Sequence, residues 1–288
     1  MIEIGSDQLT AAINPLGAEL SHLRDAEGRE LMTDADPAYW TGRAPLLFPI
    51  VGRLHGDRYR LGDRYYPLPQ HGFARTQPFE VIEEAADRAV FRLADNDATR
   101  AAYPFAFTLD AAFSIAGATL SMDVTVTNTG DAAMPASFGF HPAFAWPLPY
   151  GRTKEDHRIV FEADEPGDLS AIVLGGWIDA HAWPSPLDGR VLHLKDELFE
   201  RDALIWDGLA SRAVRYDGGE GPALDVAFPD TDKLGIWTKP GAHYVCIEPW
   251  HGIADPEGFT GDFRDKPGVF EIAPRGDWQC TLHVTLRA

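Results

Sequence analysis

Three short polar islands interrupt apolar sequence in this chain: Gln70-His71-Gly72-Phe73-Ala74-Arg75, Phe140-His141-Pro142 and Ile247-Glu248-Pro249-Trp250-His251. Glu248 follows the apolar run Tyr244-Val245-Cys246-Ile247 and precedes Pro249, which cannot donate to a ladder, so the carboxylate is expected where a strand leaves its sheet. With Trp250 and His251 in the same turn, it would lose hydration and become a better base. His141 closes the run Met134 to Phe140 and precedes Pro142, Phe144 and Trp146. Its imidazole is the side chain that titrates near neutrality when unperturbed. His71 sits in a glycine-bearing turn, with Arg75 four residues on and Arg53 upstream in Val51-Gly52-Arg53-Leu54. Singly, such residues are most often a rim carboxylate, a packed histidine and solvated arginines. Together, two imidazoles, a carboxylate and aromatic surface suit a site that moves protons on a sugar.

Other chemistries lack their signatures. The ten histidines include no H-x-x-x-H or H-E-x-x-H pair, so no metal site is expected. Gly-x-Ser-x-Gly, the P-loop and Gly-x-Gly-x-x-Gly are absent, which removes the usual grounds for a hydrolase, kinase or dehydrogenase. The net charge of −19 sets the mean field against nucleic acid and anionic membranes. A local group of arginines could still hold a phosphorylated small molecule. Cys246 and Cys280 have no metal or redox spacing and read as buried free thiols. Nothing resembles a leader peptide or an apolar span of about 18 residues, so a cytoplasmic protein is expected, as a monomer or homodimer.

The elements that must carry these islands are strands. From Thr119 to Asn128, Leu120, Met122, Val124 and Val126 alternate with polar residues, and Trp278, Cys280, Leu282, Val284 and Leu286 repeat the pattern. Further strands are expected over Phe79 to Glu84, Ala89 to Leu93, Phe107 to Ile115, Ala133 to Phe140, Ala203 to Trp206, Leu224 to Phe228, Leu234 to Thr238 and Tyr244 to Glu248. Helix is expected only over Asp95 to Tyr103, stopped by Pro104, and Lys195 to Glu200. Neither is long enough for a parallel crossover. The stretch Ala145 to Pro186, rich in Pro, Gly and Asp, reads as a loop-rich excursion holding one strand, His157 to Phe161. The expectation is an all-β protein of stacked antiparallel sheets, one domain over residues 1–288.

Four phrases, in order, resemble the aldose 1-epimerase (galactose mutarotase-like) family and its LacX-like bacterial branch: Leu47-Phe48-Pro49-Ile50-Val51-Gly52-Arg53-Leu54, Gln70 to Arg75, Gly139-Phe140-His141-Pro142-Ala143-Phe144 and Ile247-Glu248-Pro249-Trp250. The resemblance implies a large antiparallel β-sandwich of the galactose mutarotase-like supersandwich type, with the sugar on a concave face and no cofactor. By position it implies Glu248 as general base and His141 as general acid. His71 and Arg53 would hold the ring oxygen and hydroxyls, and Asp202 would bind a sugar hydroxyl, with Asp207 its competitor. Trp250, Phe73 and Trp146 could stack on the pyranose. Gly-Phe-His-Pro departs from the Asn-His-x-x-Phe of typical galactose mutarotases, so galactose does not follow. The Arg75 position resembles the hexose-6-phosphate mutarotase branch, where arginines receive a phosphate, and one arginine is too little to decide. The implied activity is interconversion of α and β anomers of an aldohexose or hexose phosphate. The alternative is a carbohydrate-binding or sugar-sensing protein without catalysis, and a glycoside hydrolase ranks last because only Glu248 has supporting context.

Overall fold

The structure is a computed structural model that describes residues 1–165, 167–173 and 175–288. Two antiparallel sheets dominate it. The larger has nine strands, running from Val191–His193 through Arg158–Phe161, Ala213–Asp217, Ala223–Ala227, Asp277–Arg287, Thr119–Asn128, Phe107–Ala116 and Arg88–Ala94 to Glu80–Glu84. The two strongly alternating segments form its centre, with Thr119–Asn128 and Asp277–Arg287 paired along nearly their whole length. In the first of these, Leu120, Met122, Val124 and Val126 are buried and the intervening residues half-buried, so one face is committed to the core.

The smaller sheet carries the islands. Its order is Leu204–Asp207, Lys233–Trp237, Tyr244–His251, Phe138–Phe140 and Leu46–Leu47, with Ala143–Ala145 also paired to Tyr244–His251. Val245, Ile247, Phe138 and Phe140 point from this sheet into the main core, which continues to Val124, Leu282 and Val284 of the large sheet. That shared apolar layer makes the architecture a β-sandwich.

Several boundaries differ from the sequence reading. A three-stranded sheet of Ile2–Gly5, Leu9–Asn14 and Glu19–Asp25 was not expected. Its alanines are weak strand formers, and a register shift between Ala12 and Ile13 breaks the alternation. The expected strand Ala133 to Phe140 divides into Met134–Ala136 and Phe138–Phe140, which belong to different sheets. The helix over Asp97–Ala102 is present, with Asn96 accepting from the Thr99 N–H as its cap. Lys195 to Glu200 contains only a single 3₁₀ turn, Asp196–Phe199. Both cysteines are buried and free, and among the described residues no helix is long and apolar enough to cross a membrane.

Candidate active site

The strand Tyr244–His251 sets the geometry. Its side chains alternate, so Val245 and Ile247 serve the core while Tyr244, Cys246, Glu248 and Trp250 share the opposite face. Two small apolar clusters stand on that face. One holds Tyr244, Cys246 and Ala143, flanked by Trp40 and Trp237, and the other joins Trp250 to Val51, Ile205 and Ala254. Glu248 lies between them, at the floor of a cavity of about 230 Å³.

Glu248 is therefore inside a strand, not at its end. Pro249 pairs with Leu234 and the ladder runs on to His251. The proline is tolerated because N–H groups alternate in direction along a strand. The Ile247 N–H reaches the Pro142 carbonyl, so the donor missing at Pro249 would face the same side, where the neighbouring chain breaks between Phe140 and Ala143. His251 lies on the opposite face, with its ring centroid 5.0 Å from that of Trp278, so it does not share the site of Glu248.

His141 occupies that break, only 7% exposed. Its Nε2 is 3.2 Å from Glu248 Oε2, and its Nδ1 has no hydrogen-bond partner among the described residues. Residues more than a hundred positions apart thus meet as one pair. Burial pulls the imidazole down to about 3. Burial, with Asp202 nearby, pushes the Glu248 carboxyl well above the usual carboxylate range. The largest cause of both shifts is the cost of a charge in a dry setting, so the resting pair is a neutral carboxylic acid beside a neutral imidazole.

His71 is held by two backbone hydrogen bonds. Its N–H donates to the Gly52 carbonyl at 2.9 Å, and the Gly52 N–H donates to Nδ1 at 3.1 Å. Because Nδ1 must accept, the proton of the neutral ring is on Nε2. Burial, then His141 and Arg75, keeps this imidazole well below its ordinary value, so it presents a fixed N–H donor. The backbone here is left-handed, with φ of 65° at His71 and 73° at Gly72. A Cβ on Gly72 would come within 2.2 Å of the Phe48 carbonyl oxygen, so this turn requires glycine.

Asp202 also lines the cavity, on a backbone with φ of 88°. Its Oδ1 accepts from the Ala203 N–H at 2.7 Å, and burial raises its carboxyl above the ordinary value. Asp207, its competitor, pairs with Lys233 and does not line the cavity. Among the described residues Arg75 is the one Lys or Arg that lines it, with one guanidinium nitrogen donating to the Gln70 carbonyl at 2.9 Å. Arg53 does not line it. Its guanidinium pairs with Asp57 at 3.0 Å, and its side chain backs Gly176, which is part of the wall.

Of the aromatics, Trp250 lines the cavity while Phe73 and Trp146 are absorbed in the main core. The Trp250 indole lies across its own sheet because both neighbouring strands present glycine. A Cβ on Gly235 would stand 2.5 Å from one end of the ring, and one on Gly139 would stand 2.6 Å from the other. Trp40 and Trp237 complete the wall, and both escaped the sequence reading. Trp40 stacks obliquely on His141 with centroids 4.8 Å apart. Trp237 lies two residues beyond Gly235, which the strand register sets opposite Glu248, so the pairing of the strands is what brings it here.

The model of the family described as aldose 1-epimerase matches residues 1–255. The chain belongs to the aldose 1-epimerase family. It is 31% identical over 295 residues to the chromosomal protein LacX of Lactococcus lactis subsp. lactis, with 99% of each chain covered. It also superposes on a galactose mutarotase related enzyme from Lactobacillus acidophilus with a TM-score of 0.91 at 32% identity, covering 99% of this chain and 97% of that one. A galactose mutarotase-like protein from Lactobacillus casei gives 0.90 at 29% identity, with both chains covered completely. The chain is thus an isomerase of the mutarotase type with a galactose mutarotase-like fold, and a sugar is its class of substrate.

Proposed function

We propose that this enzyme interconverts the α and β anomers of an unphosphorylated aldohexose, with Glu248 as base and His141 as acid. The observation that carries the reading is their 3.2 Å contact on the floor of a cavity walled by tryptophans. One proton transfer within the pair turns the neutral acid and imidazole into carboxylate and imidazolium without any change in proton count. The carboxylate then takes the proton of the C1 hydroxyl, the C1–O5 bond breaks, and the imidazolium gives its proton to O5. The product is an open-chain aldehyde. Rotation about C1–C2 exposes the other carbonyl face, and closure returns one proton to His141 and one from Glu248 to the new C1 oxygen.

The remaining residues hold the sugar in this scheme. His71 Nε2–H donates to a sugar oxygen, Asp202 accepts from a hydroxyl, Arg75 binds the rim oxygens and Trp250 supplies a flat apolar floor. Arg53 supports the wall behind Gly176 and does not touch substrate. A free hexose is favoured over a phosphorylated one because, among the described residues, Arg75 is the one Lys or Arg lining the cavity, and Asp202 lines it too. One guanidinium would leave a dianion only partly paired there. A sensor without catalysis has no use for an acid buried against an imidazole, so the binding-module alternative is not favoured.

Polarimetry on freshly dissolved glucose, galactose and their 6-phosphates tests this. Free hexoses should equilibrate faster with enzyme than without. Acceleration of the phosphates alone would overturn the substrate assignment, and acceleration of none would overturn the anomer chemistry.

A further inference from the structure

Cys246 takes no part in the proton transfers above, yet it is placed beside the groups that do. It precedes Glu248 by two residues on the same strand, so both side chains leave the same face. His141 arrives from the adjacent chain, next to Ala143, which is the cross-strand partner of Cys246. A sulfur, a ring nitrogen and a carboxylate oxygen of these three buried residues all lie within 4.8 Å of one another.

We propose that His141, Cys246 and Glu248 form a binding site for a thiophilic divalent cation, zinc being the type, and that its occupation inhibits the enzyme. Three considerations carry this. Tetrahedral zinc with bonds of about 2.0 to 2.3 Å needs its ligands about 3.3 to 3.8 Å apart. The His141–Glu248 edge, at 3.2 Å, is already of that size, and side-chain rotation toward a common centre closes the remaining edges. The donor set of thiolate, imidazole and carboxylate suits zinc or cobalt over magnesium or calcium. Charge also balances, since a dication with one thiolate and one carboxylate is neutral, which favours the complex over separate charges in this dry region. His141 and Glu248 line the cavity, so an ion entering from solvent meets two ligands first and leaves its fourth position toward the cavity.

Binding consumes both proton-transfer groups at once, so the bound form cannot open a sugar ring. Binding releases two protons, one from the Cys246 thiol and one from the Glu248 carboxyl, and no other bond of the protein breaks. The site would make the enzyme silent where free zinc is high.

The test uses the whole protein with cobalt and zinc as probes. Cobalt(II) should bind at one equivalent with a thiolate-to-cobalt charge-transfer band in the ultraviolet, and zinc should displace it. Zinc should also suppress mutarotation, and chelation should restore it. Cys246→Ala should lose the band and lower zinc sensitivity by at least about 10-fold while keeping most of the basal rate, and Cys280→Ala should behave as wild type. A band that survives in Cys246→Ala, or cobalt binding without a thiolate band, would overturn the proposal. The cobalt spectrum is read without sugar, so it stands or falls separately from the assignment of base and acid.

Discussion

Glu248→Gln separates chemistry from shape. The amide has nearly the carboxyl's volume and can donate to His141 Nε2 across the 3.2 Å contact, so the floor of the cavity keeps its packing. What disappears is the ability to accept the C1 proton. Loss of a positioned base lowers kcat by about 100-fold or more, or about 2.7 kcal/mol of transition-state stabilisation. Polarimetry, corrected for the spontaneous rate, reads this directly. The same variant should gain stability with a definite pH dependence. In the folded protein the carboxyl stays protonated well above its ordinary range, whereas the unfolded chain releases that proton near pH 4.3, roughly. Wild-type stability from this group is therefore complete below the ordinary value and is lost as pH rises toward the raised one. The glutamine carries no such loss. Melting temperatures of the two proteins should coincide near pH 4, roughly, and the variant should melt higher near pH 8, roughly. A rate within about threefold of wild type would refute the role of base, and a melting difference that does not change with pH would refute the account of its burial.

Two further variants probe the supports of the site. Asp202→Gly relieves a left-handed backbone at φ 88° and should stabilise the protein by about 1 kcal/mol in denaturant titration, while raising KM through loss of a hydroxyl acceptor. Destabilisation would show that the carboxylate's bond to the Ala203 N–H outweighs the strain. Gly235→Ala sets a methyl 2.5 Å from the Trp250 ring and should tilt the indole off the sheet. Near-ultraviolet circular dichroism should change and KM should rise about 10-fold or more, as expected for a misplaced sugar platform; unchanged spectra would mean that the ring is not held by that contact.

The sequence reading reached stacked antiparallel sheets through period-two segments such as Thr119–Asn128, where sheet burial imposes strict alternation, and the sandwich type through the family resemblance. It reached His71, His141 and Glu248 because each interrupts apolar sequence. It failed where the decisive fact is long-range. Pro249 looked like the end of a strand because the gap in the neighbouring chain, which excuses its missing donor, lies more than a hundred residues away. Asp202 and Asp207 are equivalent on paper. Backbone turn and the pairing with Lys233 separate them in space. Trp40 and Trp237 carry no local mark, since any tryptophan can be core, and only the fold directs them to the cavity.

The excursion between Ala145 and Pro186 reaches the cavity through Ile172 and Gly176, outside the sheet that bears Glu248. It touches that sheet where the Ser170 N–H donates to the Ile205 carbonyl. Lengthening or shortening this segment would reshape which sugars fit while leaving the proton-moving pair in register. A lineage built on this scaffold can therefore change its diet without relearning its reaction.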